Sequence, residues 1–417
     1  MRKKIIIELA DDYGKEEYEV IDILEENIEI PPFRTRISKD RTVIDKSHIK
    51  LEEQIVLDYY KLLLNRYCNI RFPNRSYIMT ELMNIMPYLH KYNAYTIYKF
   101  DFKDFFYNIC PKKSFNYIYD SVSLKTSEHS FLKNYTYEIE ALVPGIGLHN
   151  SLVEISGYYF DLEVKKTFKE GLLYYARYVD DCILILDEKL PEKLIEDTII
   201  KLLKKCLGNK LKINLDKTQC IHSDSINVGV DYLGYYFEKC QSAKSQFKFG
   251  IAKKKLDKYV EQINNIVFEF KTTHDVELLS FRLDIFFKRI VYYGTRKKNK
   301  KYRWQVRGLS DSYKELKRFM KNNNDYSNIT RDTTKLFGQS IELCFIKNDV
   351  IIPAKINNQL KNRKYSSSFI NNRALLIHKK IGLSHSNLKK ITSIVSEDNL
   401  ENYNYIELAN KLLSRIM

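Results

Sequence analysis

The sequence predicts an α+β fold, with helices packed on a mostly antiparallel sheet. Three observations predict it. Residues 174–186 read Tyr-Tyr-Ala-Arg-Tyr-Val-Asp-Asp-Cys-Ile-Leu-Ile-Leu, which sets Asp180 and Asp181 between two apolar, β-prone runs, as in a hairpin with an acidic tip. Residues 95–100 form a strand candidate that runs into Asp101. Helix-periodic segments stand between and after these, giving the order strand, helix, hairpin, helix, strand. Two adjacent carboxylates repel, so the hairpin tip calls for positive charge against it, and a divalent metal supplies that.

The elements follow in chain order. Residues 1–30 are acidic and mixed, and Pro31-Pro32 breaks them from a polar, basic stretch at 34–45, where Ile37 and Val43 alternate as in a short hairpin. Residues 50–66 place Leu51, Ile55, Tyr59 and Leu63 on one helical face, and a second helix is expected at 76–90. Residues 111–140 give no clear pattern. Ser151-Leu-Val-Glu154 matches a capping box, opening a helix faced by Leu152, Ile155, Tyr159 and Leu162. After the acidic hairpin, Pro191 suits a first helical turn, Ile195, Ile199, Leu202 and Cys206 keep helical spacing, and Gly208 stops it. Leu211, Ile213 and Leu215 alternate as a strand, and Tyr232-Leu-Gly-Tyr235 suggests a further hairpin. Residues 253–330 read as basic and helical. Residues 331–417 form a polar segment with at least two amphipathic helices, the last around Ile406, Ala409, Leu413 and Ile416.

A chain of 417 residues has length for two or three packed units. Its net charge of +16 favours a polyanionic partner, nucleic acid first, although a basic enzyme of another kind would share it. The seven cysteines are scattered and show no Cys-x-x-Cys, so they read as reduced cytosolic thiols and not as a disulfide frame or zinc site. Met1-Arg-Lys-Lys is followed by only Ile5-Ile6-Ile7, too short for a signal peptide, and no apolar run has the length to span a bilayer. The expectation is a cytoplasmic protein with no membrane partner. Arg296, Lys297, Lys298, Lys300, Lys301 and Arg303 interleave with Tyr292, Tyr293, Tyr302 and the single Trp304. Basic groups neutralise phosphates and aromatic faces stack bases, against the plainer reading of a solvated lysine loop.

Lys99-Phe-Asp101-Phe-Lys-Asp104-Phe-Phe106 adds a carboxylate at the end of a strand. Two-metal phosphoryl transfer requires carboxylates from separate segments to converge on ions about 4 Å apart. On these residues the sequence resembles a reverse transcriptase. Asp101-Phe-Lys-Asp-Phe-Phe106 is similar to that family's motif A, and Tyr178-Val-Asp-Asp181 to its motif C. Val143-Pro-Gly-Ile-Gly-Leu148 stands where motif B belongs, Leu215-Asp-Lys-Thr218 resembles motif D, and Tyr232-Leu-Gly-Tyr235 resembles motif E. The resemblance implies a right-hand polymerase fold. Residues 1–30 would be an N-terminal segment, 31–240 fingers and palm with the antiparallel sheet, 241–330 a helical basic thumb, and 331–417 a mainly helical C-terminal extension.

The roles carry over as what the resemblance implies. Asp101 and Asp180 would be the main ligands of two Mg²⁺ ions (or Mn²⁺), with Asp181 less direct and Phe102 offering its backbone carbonyl. Phe106 resembles the steric gate that selects deoxynucleotides, with core packing as its bland reading and Phe105 as the better candidate for that packing. Gly147 would let the backbone approach the templating base pair. Lys217 would stabilise departing pyrophosphate, although alone it reads as a surface lysine. Arg36, Lys39, Arg41 and Arg75 would grip triphosphate, in fingers shorter than the family's usual hairpin. Asp104 and the lone His149 read as structural at least as readily.

Motif B departs from the Pro-Gln-Gly of group II intron and retroviral enzymes, since Gly145-Ile-Gly147-Leu-His-Asn-Ser151 has no Gln. It is more similar to bacterial defense-associated, unknown-group and abortive-infection reverse transcriptases. That likeness implies an RNA-directed DNA polymerase in antiviral defense against bacteriophage, with an RNA template (a partner noncoding RNA), a DNA product and dNTPs as substrates. Alternatives are a retron-type enzyme, protein-primed or untemplated DNA synthesis, a non-catalytic nucleic-acid-binding module, and a two-metal nuclease.

Overall fold

The computed structural model describes residues 1–26, 28–38, 41–226, 228–240, 247–295, 302–320 and 326–416. They form two compact units, residues 1–225 and 226–417.

Unit 1 opens with α1 (Arg2–Tyr13) and α2 (Glu17–Glu25), whose Ile5, Leu9, Val20 and Ile23 enter the main core. The 34–45 stretch is the hairpin its alternation predicts, β1 (Thr35–Ser38) against β2 (Arg41–Ile44). Helices α3 (Leu51–Tyr67) and α4 (Arg75–Ile85) follow, then β3 (Thr96–Lys103) and the single turn α5 (Phe105–Asn108). The segment without a clear sequence pattern is helical, as α6 (Pro111–Ser121) and α7 (Thr126–Glu138). Next come α8 (Gly147–Thr167), β4 (Leu172–Tyr178), β5 (Asp181–Leu186), α9 (Glu192–Cys206), β6 (Lys212–Ile213) and β7 (Gln219–His222).

The sheet runs β4–β5–β3, and the far edge of β3 carries β7 and then β6, all antiparallel. Alternation gives it two faces. Tyr98, Phe100 and Phe102 of β3 join Cys182, Leu184 and Leu186 of β5 in the core with α8 and α9. Lys99 and Asp101 take the opposite alternation, level with Asp181 across the strand pair.

Two local expectations are corrected. The long helix begins at Gly147, a turn before the supposed cap, with Ile146 as its N-cap. Ser151 is therefore interior, and its hydroxyl donates to Asn65 Oδ1 at 2.7 Å instead of capping. The strand expected through Leu211, Ile213 and Leu215 is only Lys212–Ile213, because Leu215 starts a 3₁₀ turn and is 62% exposed.

Unit 2 starts with an antiparallel sheet, β8 (Gly229–Tyr232), β9 (Tyr235–Lys239) and β10 (Phe247–Ile251). Leu233 and Gly234, at φ 48° and 82°, make the two-residue turn that Tyr232-Leu-Gly-Tyr235 predicts. Helices α10 (Lys253–Thr273) and α11 (Val276–Phe286) match the expected basic helical stretch, but the chain then turns to strand at β11 (Arg289–Thr295) and β12 (Tyr302–Arg307). After α12 (Leu309–Ser312), α13 (Arg331–Lys335), α14 (Gln339–Lys347), α15 (Ala354–Lys361) and α16 (Lys364–Ile370), strand β13 (Ala374–Ile377) lies parallel to β11. The last helices are α17 (His385–Val395) and α18 (Tyr405–Ile416). Their Leu388, Leu408 and Leu412 share one core with Ile285, Ile290 and Leu375. Ile406, expected on the buried face of α18, is 62% exposed. All seven cysteines are free. Among the described residues no helix is long and apolar enough to cross a membrane.

Candidate metal centre and nucleotide site

Strand register brings the carboxylates together. Asp101 pairs directly with Asp181 across β3 and β5, and Asp180 sits in the two-residue turn joining β4 to β5. One oxygen from each of Asp101, Asp180 and Asp181 lies within 4.8 Å of the others. The turn is strained, since Val179 holds φ at 61°, a conformation that a β-branched residue rarely adopts. The Phe102 N–H donates to the Asp180 carbonyl at 3.3 Å, so the Phe102 peptide lies beside that turn while its ring is buried.

Two lysines face this charge. Lys217 Nζ lies 3.2 Å from both carboxylate oxygens of Asp101, and Asn214 Nδ2 donates to the same group at 3.3 Å. Lys99 Nζ is 3.5 Å from Asp181 Oδ1 and donates to the Lys217 carbonyl at 3.0 Å. Burial, followed by the charges of Asp181 and Asp101, raises the Asp180 carboxyl above the usual range. Asp181 is also raised, by burial and then Asp101, against the opposing pull of Lys99. Three clustered oxygen donors with surplus negative charge suit a hard divalent cation of the Mg²⁺ or Mn²⁺ kind. The residues therefore fit the metal their pattern implies.

Sequence reasoning missed the support beneath the turn. Arg177 of β4 pairs with Cys182 and so faces the helices. It is buried, with Nη2 2.9 Å from Glu154 Oε1 and 3.0 Å from Asp161 Oδ2, and Nε 2.9 Å from Asp161 Oδ1. Its Nη1 donates to the Val179 carbonyl at 3.2 Å, which ties the strained residue to α8. Gly157 makes room, because a Cβ there would stand 2.4 Å from Nη2. An arginine inside an apolar strand, one residue before motif C, was the available signal.

Phe105 is buried against Phe102, with ring centroids 5.1 Å apart, whereas the adjacent Phe106 is only partly buried. Asp104 is exposed, at φ 51°, and heads α5. The β1–β2 hairpin carries Arg36 and Arg41, both exposed. It is fixed by Ile44 N–H donating to the Pro144 carbonyl at 2.8 Å and by the Tyr107 hydroxyl donating to the Thr42 carbonyl. At Gly145, φ is 131° and a Cβ would lie 3.1 Å from the Ile44 backbone, so this glycine is required by the hairpin contact. Gly147 has a separate reason, since a Cβ there would come 2.3 Å from Lys61 Cδ. Arg75 opens α4 behind its Asn74 cap. His149 is structural: Nδ1–H donates to the Val143 carbonyl at 2.7 Å and Nε2 accepts from the Tyr135 hydroxyl at 2.6 Å. Burial lowers its pKa to about 4, so the ring is neutral. Lys39, Arg296, Lys297, Lys298, Lys300 and Lys301 lie outside the described residues, while Arg303 and Trp304 are exposed on β12.

Residues 53–237 match the family model described as reverse transcriptase (RNA-dependent DNA polymerase). No curated protein matches the chain. Solved structures that resemble it include apo telomerase from Candida tropicalis truncated from its C-terminal domain, at 14% identity over 47% of this chain and 44% of that one, with a TM-score of 0.34. Telomerase from Candida albicans in complex with a TWJ fragment of telomeric RNA gives 10% identity, 95% and 68% coverage, and a TM-score of 0.38. The corresponding Candida tropicalis complex gives 12%, 96% and 67%, and 0.35. The chain thus spans less than half of the first of these proteins. Residues 53–237 are thus similar to an RNA-dependent DNA polymerase domain, and helices over an antiparallel sheet are consistent with the right-hand polymerase fold.

Proposed function

We propose that this reverse transcriptase domain copies a partner noncoding RNA into DNA from dNTPs, by two-metal phosphoryl transfer, in defense against bacteriophage. The observation that carries the catalytic part is the convergence of Asp101, Asp180 and Asp181 within 4.8 Å, faced by Lys99 and Lys217. When bound, Mg²⁺ ions would lower the pKa of the attacking hydroxyl and stabilise charge on the phosphates. The chain's own residues do the rest. Asp101 and Asp180 would hold the cations, Asp181 would add charge, and the Phe102 carbonyl would offer a further oxygen. Phe106 lies under the sugar, and Lys217, 58% exposed at its side chain, stands beside the departing pyrophosphate. Arg36, Lys39, Arg41 and Arg75 hold the triphosphate, and Gly147 borders the templating pair. The fingers and palm would be residues 31–240, with 241–330 as thumb and 331–417 as an extension. The defense role is supported by the motif B sequence Gly145-Ile-Gly147, which lacks the Gln of other classes.

The test joins chemistry and biology. Asp180→Ala with Asp181→Ala should abolish dNTP incorporation on a primed RNA template while RNA binding persists, and retained incorporation would reject the site. The same pair should lose protection in a phage plaque assay. Sequencing of copurifying nucleic acid should give one discrete RNA with its complementary DNA; random or homopolymeric DNA would reject templated copying.

A further inference from the structure

We propose that the outward face of the β11–β12–β13 sheet is a stacking platform for single-stranded RNA. The choice of RNA rests on the polymerase reading above; the platform itself rests on unit 2 alone. Strand alternation puts Ile290 and Tyr292 of β11 into the core with Leu375 and Ile377 of β13. Tyr293 takes the other face, directly opposite Trp304 of β12. The two rings are 5.3 Å apart between centroids, and His378, just past β13, lies 5.1 Å from Trp304 and 6.0 Å from Tyr293. Three rings, two on adjacent strands and one just past the end of a third, thus form one cluster, and Tyr293 and Trp304 remain 44% and 47% exposed. Contiguous exposed rings, unlike singly scattered ones, mark a binding face.

Charge selects the occupant. The three strands come from two tracts, residues 285–310 and 350–396, that contain no Asp or Glu and nine Lys or Arg each. Lys379 and Lys380, which follow His378 directly in the chain, are exposed. Strands drawn from acid-free, basic tracts favour a polyanion, and aromatic faces capture bases only where those bases are unpaired. A duplex offers the lysines its phosphates but hides its base faces from the rings. A polymerase domain that copies RNA has a strand of this kind to hold before copying it.

Trp304 is the only tryptophan, so its fluorescence reports on the platform in the full chain. Titration with a single-stranded oligouridylate or oligoadenylate should quench it, and the annealed duplex should not. Tyr293→Ala and His378→Ala keep the reporter and should weaken single-strand affinity about tenfold or more. Trp304→Phe should bind more tightly than Trp304→Ala, which separates stacking from misfolding. Lys379→Gln with Lys380→Gln should flatten the salt dependence instead. Absent quenching, or unchanged affinity in the ring variants, would overturn the platform. Equal or tighter binding of the matching single-stranded DNA would overturn the assignment to RNA. Quenching should persist in the Asp180→Asn chain, so failure of the polymerase reading would show as unaltered synthesis in that variant with the platform intact.

Discussion

Arg177 joins two acidic side chains of α8 to the turn that carries Asp180, so its loss acts on both. Arg177→Ala would leave Glu154 and Asp161 without their shared cation in a buried setting, and breaking such a pair costs about 3–5 kcal/mol. Urea unfolding of the variant should show a loss of that size, and curves that overlay the parent would mean the network is dispensable. Phe106 gives a second expectation at this scale. Its ring is only partly buried while Phe105 fills the core, so Phe106→Ala should spare stability and lower the dNTP-over-rNTP preference about ten- to hundredfold. An unchanged ratio in single-nucleotide incorporation would reject the gate. The carboxylates were legible because each stands where a β-prone run ends, and chemistry of that kind leaves a mark on local sequence. Arg177 was not, because its meaning depends on Glu154 and Asp161 a helix away, and Gly157 signals nothing until the guanidinium is seen against it.

Among the elements, α8 shows where local rules give way. Ser151 and Glu154 satisfy the spacing of a cap, yet Ser151 bonds Asn65 and Glu154 bonds Arg177, so tertiary partners outweigh the capping preference and the helix extends back to Gly147. The hairpin β11–β12 is the converse: Ile290, Val291, Tyr292 and Tyr293 are strong strand formers, and their local propensity prevails although the basic tract around them has a helical composition. The join between α7 and α8 has a pH consequence. His149 is held neutral between Tyr135 and Val143, with its pKa lowered from 6.5 to about 4 by burial. The unfolded chain therefore binds a proton that the folded chain refuses. Stability from this site is complete above about 6.5 and declines as pH falls toward about 4, by roughly 3 kcal/mol in all. Urea midpoints should fall through that window, and the slope should be shallower in His149→Gln. Parallel slopes would mean that His149 protonates in place.

At the scale of the molecule, the triad couples metal to the stability of unit 1. Asp180 and Asp181 are raised by burial and by neighbouring carboxylates, so ionising them at neutral pH works against folding. Lys99, 3.5 Å from Asp181, offsets part of this there, and Lys217 stands 3.2 Å from Asp101. Asp180 thus carries the repulsion that a cation would relieve. A ligand that binds only the folded state at 100 times its Kd adds about 2.7 kcal/mol. For a unit of this size that raises Tm by about 5–10 °C. Magnesium chloride should produce such a shift, and sodium chloride at equal ionic strength should not. Asp180→Asn should behave in the opposite way on two counts, being more stable than the parent without metal and nearly indifferent to magnesium. Replacing Asp181 would confound the comparison, since it would strand the buried Lys99. If parent and Asp180→Asn respond equally to magnesium, the cation binds elsewhere, and the clustered carboxylates are held together by the two lysines alone.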